Sequence, residues 1–286
     1  MKEKKKHSDN HSLTFKADDP NYMLIGTDGG IYESFDDSET WKFVANLPLT
    51  QFYKLAVDDA YPFYNIYGGT QDNNTQGGPS RNFKNSGISN ADWYVVLGGD
   101  GHQPATEPGN PDIIYAQSQQ GYINRIDMTN REIVSIRPQE GIDEPYERFN
   151  WDAPILVSHH DPKRLYFGSQ RVWRSENRGD SWSTVSGDLT KDEERLSLPI
   201  MGGVQSFDNA WDVYAMSTYN TITSLSESKI DENVLYVGTD DGIIQYTKNG
   251  GSSWTKLTVD KLPDTPKEAF VNDIKADLHN KDVAYV

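Results

Sequence analysis

Short apolar runs of four to seven residues, broken by glycine and polar turns, dominate the chain, and no stretch holds the 3.6-residue period of an amphipathic helix. Alternation in these runs predicts β-strands throughout. Five tyrosine-bearing runs align: "NYMLIGTDGGIYES" from Asn21, "YNIYGGTQDN" from Tyr64, "DIIYAQSQQGYINR" from Asp112, "RLYFGSQRVWRS" from Arg164 and "NVLYVGTDDGIIQY" from Asn233. A sixth, "KDVAYV", begins at Lys281. Several follow an Asp-Pro or Asn-Pro turn, at Asp19-Pro20, Asn110-Pro111 and Asp161-Pro162, and another short strand precedes each turn, as in "FYKLAVD" and "APILVSHHD".

The unit that repeats is therefore four strands, A to D. It recurs roughly every 40–70 residues, the spacing of β-propeller blades. A four-stranded blade has two apolar faces and buries them only against neighbours. The chain is expected to be all-β, a single propeller over 1–286. Its five blades fall at about 11–47, 51–99, 102–138, 152–186 and 220–258, with part of a sixth at 269–286 and a long insertion at 187–220.

Three C-to-D hairpins share a finer pattern. "SFDDSETW" (Ser34, Asp36, Trp41), "SENRGDSW" (Ser175, Asn177, Trp182) and "TKNGGSSW" (Thr247, Asn249, Trp254) each place a hydroxyl residue, an Asp or Asn two positions on, a turn, and a Trp. An Asp or Asn there can hydrogen-bond across its own turn, while the Trp buries a large ring at the start of strand D. Asn in two of three copies suits a hydrogen-bonding role and excludes an acid–base one. The hairpin is expected to be a staple. This pattern resembles the Asp-box, or bacterial neuraminidase repeat.

The resemblance extends through most of the chain from His7. "WYVVLGGDGHQ", "RFNWDAPILVSHHDPKRLYFGSQRVWRSENRGDSW" and "LYVGTDDGIIQYTKNGGSSW" are similar to bacterial proteins with sortilin-like Asp-box propellers, often labelled glycosyl hydrolases. Such proteins are usually large and exported. The resemblance thus implies an internal fragment whose parent is extracellular or periplasmic, and whose partners are a peptide or carbohydrate ligand plus further blades and domains.

Composition narrows the partners. A net charge of −16 opposes nucleic acid and anionic membrane surfaces. No apolar run suffices for a signal peptide or a membrane span, so no membrane insertion is expected. With no cysteine, disulfides and thiolate metal sites are excluded.

Candidate chemistry lies in the loops that do not repeat. In a four-stranded blade the D-to-A and B-to-C loops share one rim, and the hairpins occupy the other. The first rim should carry His7, Asp9 and His11, then Asp100 and His102, then Arg148, Asn150, Trp151 and Asp152, together with Gln71, Asp72, Asn73 and Asn74 and the pair Asp240 and Asp241. Asp72, Asp100 and Asp152 are the candidate catalytic carboxylates for glycoside cleavage. His7, Asp9, His11, Gln71, Asn73, His102, Asn150 and Trp151 are the candidate ligand contacts. Trp151 and Trp93, both in strand-like runs, could equally be core. Asp240 repeats the turn at Asp28 and is expected to be structural. His7-x-Asp9-x-His11 could ligate a metal only if extended, and no third histidine follows nearby, so neither metal nor cofactor is expected. Sialidase chemistry lacks its arginine triad and its Phe/Tyr-Arg-Ile-Pro motif; the nearest string, "IRP" at Ile136, is placed in a D strand. The expected function is a protein- or glycan-binding module; the alternative is a glycoside hydrolase of the xyloglucanase kind using rim carboxylates, and a pure scaffold is the third reading.

Overall fold

The computed structural model describes residues 6–47, 49–200, 202–204 and 218–286, and all its regular elements are strands apart from short 3-10 turns. Contacts divide the chain into two compact units, Met1–Gln51 and Phe52–Val286.

The first unit is one antiparallel sheet in the order β1 (Asn10–Lys16), β2 (Asp19–Thr27), β3 (Gly30–Ser34) and β4 (Lys42–Phe43). Met23 and Ile25, two residues apart on β2, are its buried apolar side chains, as alternation requires.

The second unit repeats that plan four times. Its sheets run β5 (Leu55–Val57), β6 (Asn65–Gly69), β7 (Thr75–Pro79), β8 (Tyr94–Leu97); β9 (Ala105–Glu107), β10 (Asn110–Ser118), β11 (Tyr122–Asp127), β12 (Glu132–Ser135); β13 (Ile155–Val157), β14 (Leu165–Gly168), β15 (Val172–Ser175), β16 (Ser183–Thr184); and, after a hairpin of β17 (Pro199–Ile200) and β18 (Gly203–Val204), β19 (Ile222–Glu227), β20 (Leu235–Thr239), β21 (Ile243–Thr247), β22 (Thr255–Thr258). A two-stranded sheet, β23 (Lys275–Ala276) with β24 (Ala284–Tyr285), follows. Every four-stranded sheet is a simple meander. The A strands β5, β9, β13, β19 and β23 are neighbours in that order. These sheets are propeller blades, five complete and one of two strands. Of the expected insertion at 187–220, positions 201 and 205–217 lie outside the described residues.

Alternation along each B strand explains why blades stack. On β10, Tyr115 enters a core shared with the following blade, through Phe149, Ile155, Leu165 and Phe167, whereas Ile114 and Ala116 enter one shared with Tyr67 and Val96 of the preceding blade. On β14, Leu165 and Phe167 face back while Tyr166 faces forward to Ile222, Leu235 and Val237. Val234, just before β20, and Tyr236, its second residue, feed a further core with Val271 and Ile274. Each interface is thus an apolar layer built by two sheets.

The three hairpins are geometric copies. In the first, Asp36 Oδ1 accepts from Thr40 N at 2.8 Å, while Ser34 Oγ accepts from Ser38 N at 2.9 Å. In the second, Asn177 Oδ1 accepts from Ser181 N at 2.9 Å, and Ser175 Oγ from Gly179 N at 2.8 Å. In the third, Asn249 Oδ1 accepts from Ser253 N at 2.9 Å, and Thr247 Oγ1 from Gly251 N at 3.1 Å. Asp and Asn present the same oxygen to the same donor. Their second atom differs only in direction: Asp36 Oδ2 accepts from Thr40 Oγ1, whereas Asn177 and Asn249 donate to Ser181 and Ser253.

The tryptophans depart from expectation. Trp41, Trp182 and Trp254 are half-buried rather than enclosed. The two in the second unit use their polar edge: Trp182 Nε1 donates to Ile136 O at 2.7 Å and Trp254 Nε1 to Val185 O at 3.0 Å, each reaching the blade before its own. An indole that must keep its N–H bonded across a seam sits at the margin of the layer rather than inside it. The glycines beside them are under two constraints. Gly179 and Gly251 have φ of +88° and +95°, and a Cβ on either would lie 2.7 Å from Ile136 Cδ1 or 2.3 Å from Val185 O.

Candidate functional site

Loops at the opposite rim of the second unit are tied together by backbone hydrogen bonds. Thr70 N donates to Asn74 O at 3.0 Å, Asn74 N to Gly99 O at 3.1 Å and Gly101 N to Thr70 O at 2.9 Å, so the B-to-C loop of the β5–β8 blade lies along the loop entering β9. Gly101 permits this approach, since a Cβ there would stand 2.4 Å from Asn74 O. Asp72 N donates to Asp100 Oδ1 at 2.9 Å, and Asn74 Oδ1 accepts from Gly99 N at 3.2 Å. Asp72 and Asn74 take the left-handed backbone, with φ of 59° and 71°. Short side chains that bond locally tolerate that conformation best.

Beside this seam three rings meet. His102 is fully buried and stacks on Tyr53 with centroids 4.7 Å apart, while Trp151 meets it edge-on at 5.7 Å. Tyr53 is 39% exposed and its hydroxyl donates to Gln71 Oε1. Burial raises the tyrosine's pKa first, the charges of Asp152, Asp100 and Asp72 raise it further, and a hydrogen bond with Trp151 acts the other way. The charges of all three candidate carboxylates therefore reach one ring. Asp152 Oδ1 accepts from Gln103 N at 3.0 Å and stands 3.6 Å from His102 Nδ1, beyond a hydrogen bond. Among the described residues, neither ring nitrogen of His102 has a hydrogen-bond partner.

Asn150 and Arg148 turn to the next junction. Asn150 Nδ2 donates to Thr221 Oγ1 at 2.9 Å, and its Oδ1 accepts from Asp152 N at 3.0 Å. Arg148 is held by Asp188 at 2.5 Å and Asp192 at 3.1 Å. Asp240 Oδ1 accepts from Thr221 N at 2.8 Å and its Oδ2 from Thr221 Oγ1 at 2.7 Å; burial pushes its carboxyl up to about 6. Asp241 accepts from Lys191 N at 2.7 Å. Both carboxylates fasten the loops around them.

Asn73 Nδ2 caps its own turn at Gln71 O, 3.0 Å away. His7, Asp9 and His11 belong to the first unit. There His11 Nε2 pairs with Asp28 Oδ1, Asp9 O accepts from Asp28 N at 3.2 Å, and the His7 ring covers Gly29.

Two residues at the centre of the rim cluster escape a sequence reading. Tyr53 lies in "FYKLAVD", where it passes for strand, yet β5 starts only at Leu55. Gln103 bonds Asp152 through its backbone and Ile155 O through its amide, at 2.9 Å. Trp151 is in a loop rather than a strand and is half-buried. Trp93 follows a 3-10 turn and packs over Gly78, where a Cβ would lie 2.6 Å from its ring.

No protein-family model matches the sequence, and no curated protein does. Among solved structures, the fold is similar to that of an ancestral GH74 enzyme, with a TM-score of 0.51 and 13% identity over 96% of this chain and 33% of that one. The extracellular domain of a one-component system from B. thetaiotaomicron aligns over 94% of this chain and 30% of that one, with a TM-score of 0.49 and 12% identity. The chain thus spans about a third of the length of either protein. At 13% identity the likeness is one of fold.

Proposed function

We propose that the rim around Tyr53 captures a carbohydrate, and that the chain is a sortilin-like Asp-box propeller serving as the binding module of a larger exported protein. One observation carries the reading: a part-exposed tyrosine, stacked on a buried histidine, bonds Gln71 and feels the charges of Asp72, Asp100 and Asp152. A sugar offers an apolar C–H face to such a ring and many hydroxyl donors to such acceptors, whereas a peptide brings mostly paired donors and acceptors. The ring needs no induced ordering, so little conformational entropy is lost on binding. Resemblance to exported Asp-box proteins supports an extracellular or periplasmic parent with further blades and domains.

Glycoside hydrolysis is the second reading, supported by three carboxylates whose charges reach a single ring. It needs one to act as acid and another as base or nucleophile, about 5–10 Å apart. Against it, Asp100 and Asp152 already hold the loop backbone at Asp72 and Gln103.

A glycan and peptide array probed with the intact chain tests the proposal. Glycan spots that vanish with Tyr53→Ala are the expected result, and peptide spots alone would overturn it. Release of reducing ends from a bound glycan, abolished by Asp72→Asn, Asp100→Asn or Asp152→Asn, would favour the hydrolase.

A further inference from the structure

Arg137 stands on the same rim as the Tyr53 cluster, one residue beyond Ile136, which itself follows the end of β12 at Ser135. "IRP" is therefore rim loop and not D strand. Its guanidinium is held between two rings, with its carbon 4.6 Å from the centroid of Tyr122 and 4.8 Å from that of Phe149. Phe149 is buried and pressed against Gly121, whose φ of +74° and missing Cβ (one would lie 2.5 Å from the Phe149 ring) let the two loops touch. Tyr122 is 53% exposed. Gln120 N donates to Trp151 O at 3.2 Å, which fastens this loop to the segment that supplies Trp151 to the Tyr53 cluster.

Arg137 lacks a counter-charge, as Arg81, Arg131 and Arg195 also do among the described residues, but it alone of these is set against two rings. Arg148 and Arg171, from loops of the same rim, are each tied to two carboxylates: Asp188 and Asp192 for the first, Glu144 and Glu147 for the second. Among the described residues no carboxylate lies within ion-pair distance of Arg137, and its buried Nε has no hydrogen-bond partner. In a chain of net charge −16, an arginine packed against two rings and left without an acid is an anion receptor already oriented. The buried Nε leaves the two terminal nitrogens to meet a planar carboxylate end-on with two hydrogen bonds. Long-range repulsion from the acidic surface is screened beyond roughly 8 Å at physiological salt, so the local pair dominates once the ligand is seated.

We propose that Arg137 and Tyr122 form a subsite for the carboxylate of an acidic sugar, so that the rim takes uronate-bearing glycans. This rests on the carbohydrate reading above and adds to it the class of glycan. Tyr122 supplies a ring face beside the charge, and Trp151 continues the path to Tyr53.

The test is calorimetric titration of the intact chain with galacturonate and glucuronate trisaccharides and with the same trisaccharides after carboxyl reduction. Wild type should bind an acidic trisaccharide about tenfold more tightly than its reduced form. Arg137→Gln should erase that ratio and leave affinity for the reduced form unchanged, and Arg137→Lys, which keeps charge but not the fork, should restore part of it. Equal affinity for both forms, or a ratio that persists in Arg137→Gln, overturns the subsite while leaving carbohydrate capture standing. Binding of neither form at Tyr53 or here overturns both. Arg137-dependent binding of a glutamate-rich peptide, at the affinity of the uronates, overturns the sugar assignment. Should Arg137→Gln fail to fold, the wild-type ratio and its partial reduction in Arg137→Lys decide the matter.

Discussion

The two loop faces of the second unit use the same residue types to opposite ends. On the hairpin face, Asn177 and Asn249 make the same bonds with their turns, and every hydrogen-bonding atom of the amide is used within its own eight-residue hairpin. On the rim face the bonds join different loops: Asp100 reaches Asp72, Asp152 reaches Gln103, and Asn150 reaches Thr221. There, too, polar atoms of His102, Gln103 and Gln117 are buried without partners. A face whose polar groups are locally complete can be repeated without change, because each copy stands alone. A face whose groups depend on neighbouring loops cannot repeat in this way.

The largest expected break is on the hairpin face. Gly251→Val puts a branched side chain where φ is +95° and where even a Cβ meets Val185 O, so a loss of about 3 kcal/mol or more is expected in denaturant unfolding. A loss under about 1 kcal/mol would mean that the seam is looser than its geometry.

Next comes a rim carboxyl that acts structurally. Burial raises Asp240 to about 6 from the ordinary 3.8, so the folded chain binds this proton more tightly than the unfolded chain does. Its stabilising contribution is complete below about pH 4 and is lost as pH rises through about 6. Between pH 4 and 7 wild type should therefore lose about 2–3 kcal/mol relative to Asp240→Asn. Parallel stability–pH curves for the two would show that burial is not what governs this group.

The smallest effects separate the staple from the charge. Asn249→Ala removes the acceptor for Ser253 N and the donor to its hydroxyl and should cost about 1–2 kcal/mol. Asn249→Asp, by contrast, recreates the bonds of Asp36 with Thr40 and should change the melting midpoint by less than about 2 °C. A large loss with Asp would show that the amide donor, not the shared oxygen, holds the turn.

Alternation and turn residues made the strands legible, because period-two burial and glycine turns are local properties. Ile114 and Tyr115 face opposite cores as their neighbouring positions demand. The hairpins were legible because their bonds close within eight residues. The rim was only partly so: the loops bearing Asp72, Asp100, His102 and Asp152 stand out by not repeating, but their convergence on Tyr53 depends on contacts of 28 to 52 residues in sequence separation. Tyr53 was hidden because a ring beginning an alternating run looks like the strand that follows it. Arg137 was hidden for a related reason, since its rings come from the start of β11 and from the loop before β13.

One set of three binding curves bears most directly on the division of labour between the faces. The intact chain, Tyr53→Ala and Asn249→Ala are titrated with one array-selected oligosaccharide while tryptophan emission is followed, each protein held well below its melting midpoint. Tyr53→Ala should weaken binding at least about tenfold with its unfolding midpoint nearly unchanged, and Asn249→Ala should melt earlier with its dissociation constant unchanged. Wild-type affinity in Tyr53→Ala, or equal weakening in both variants, would contradict the account.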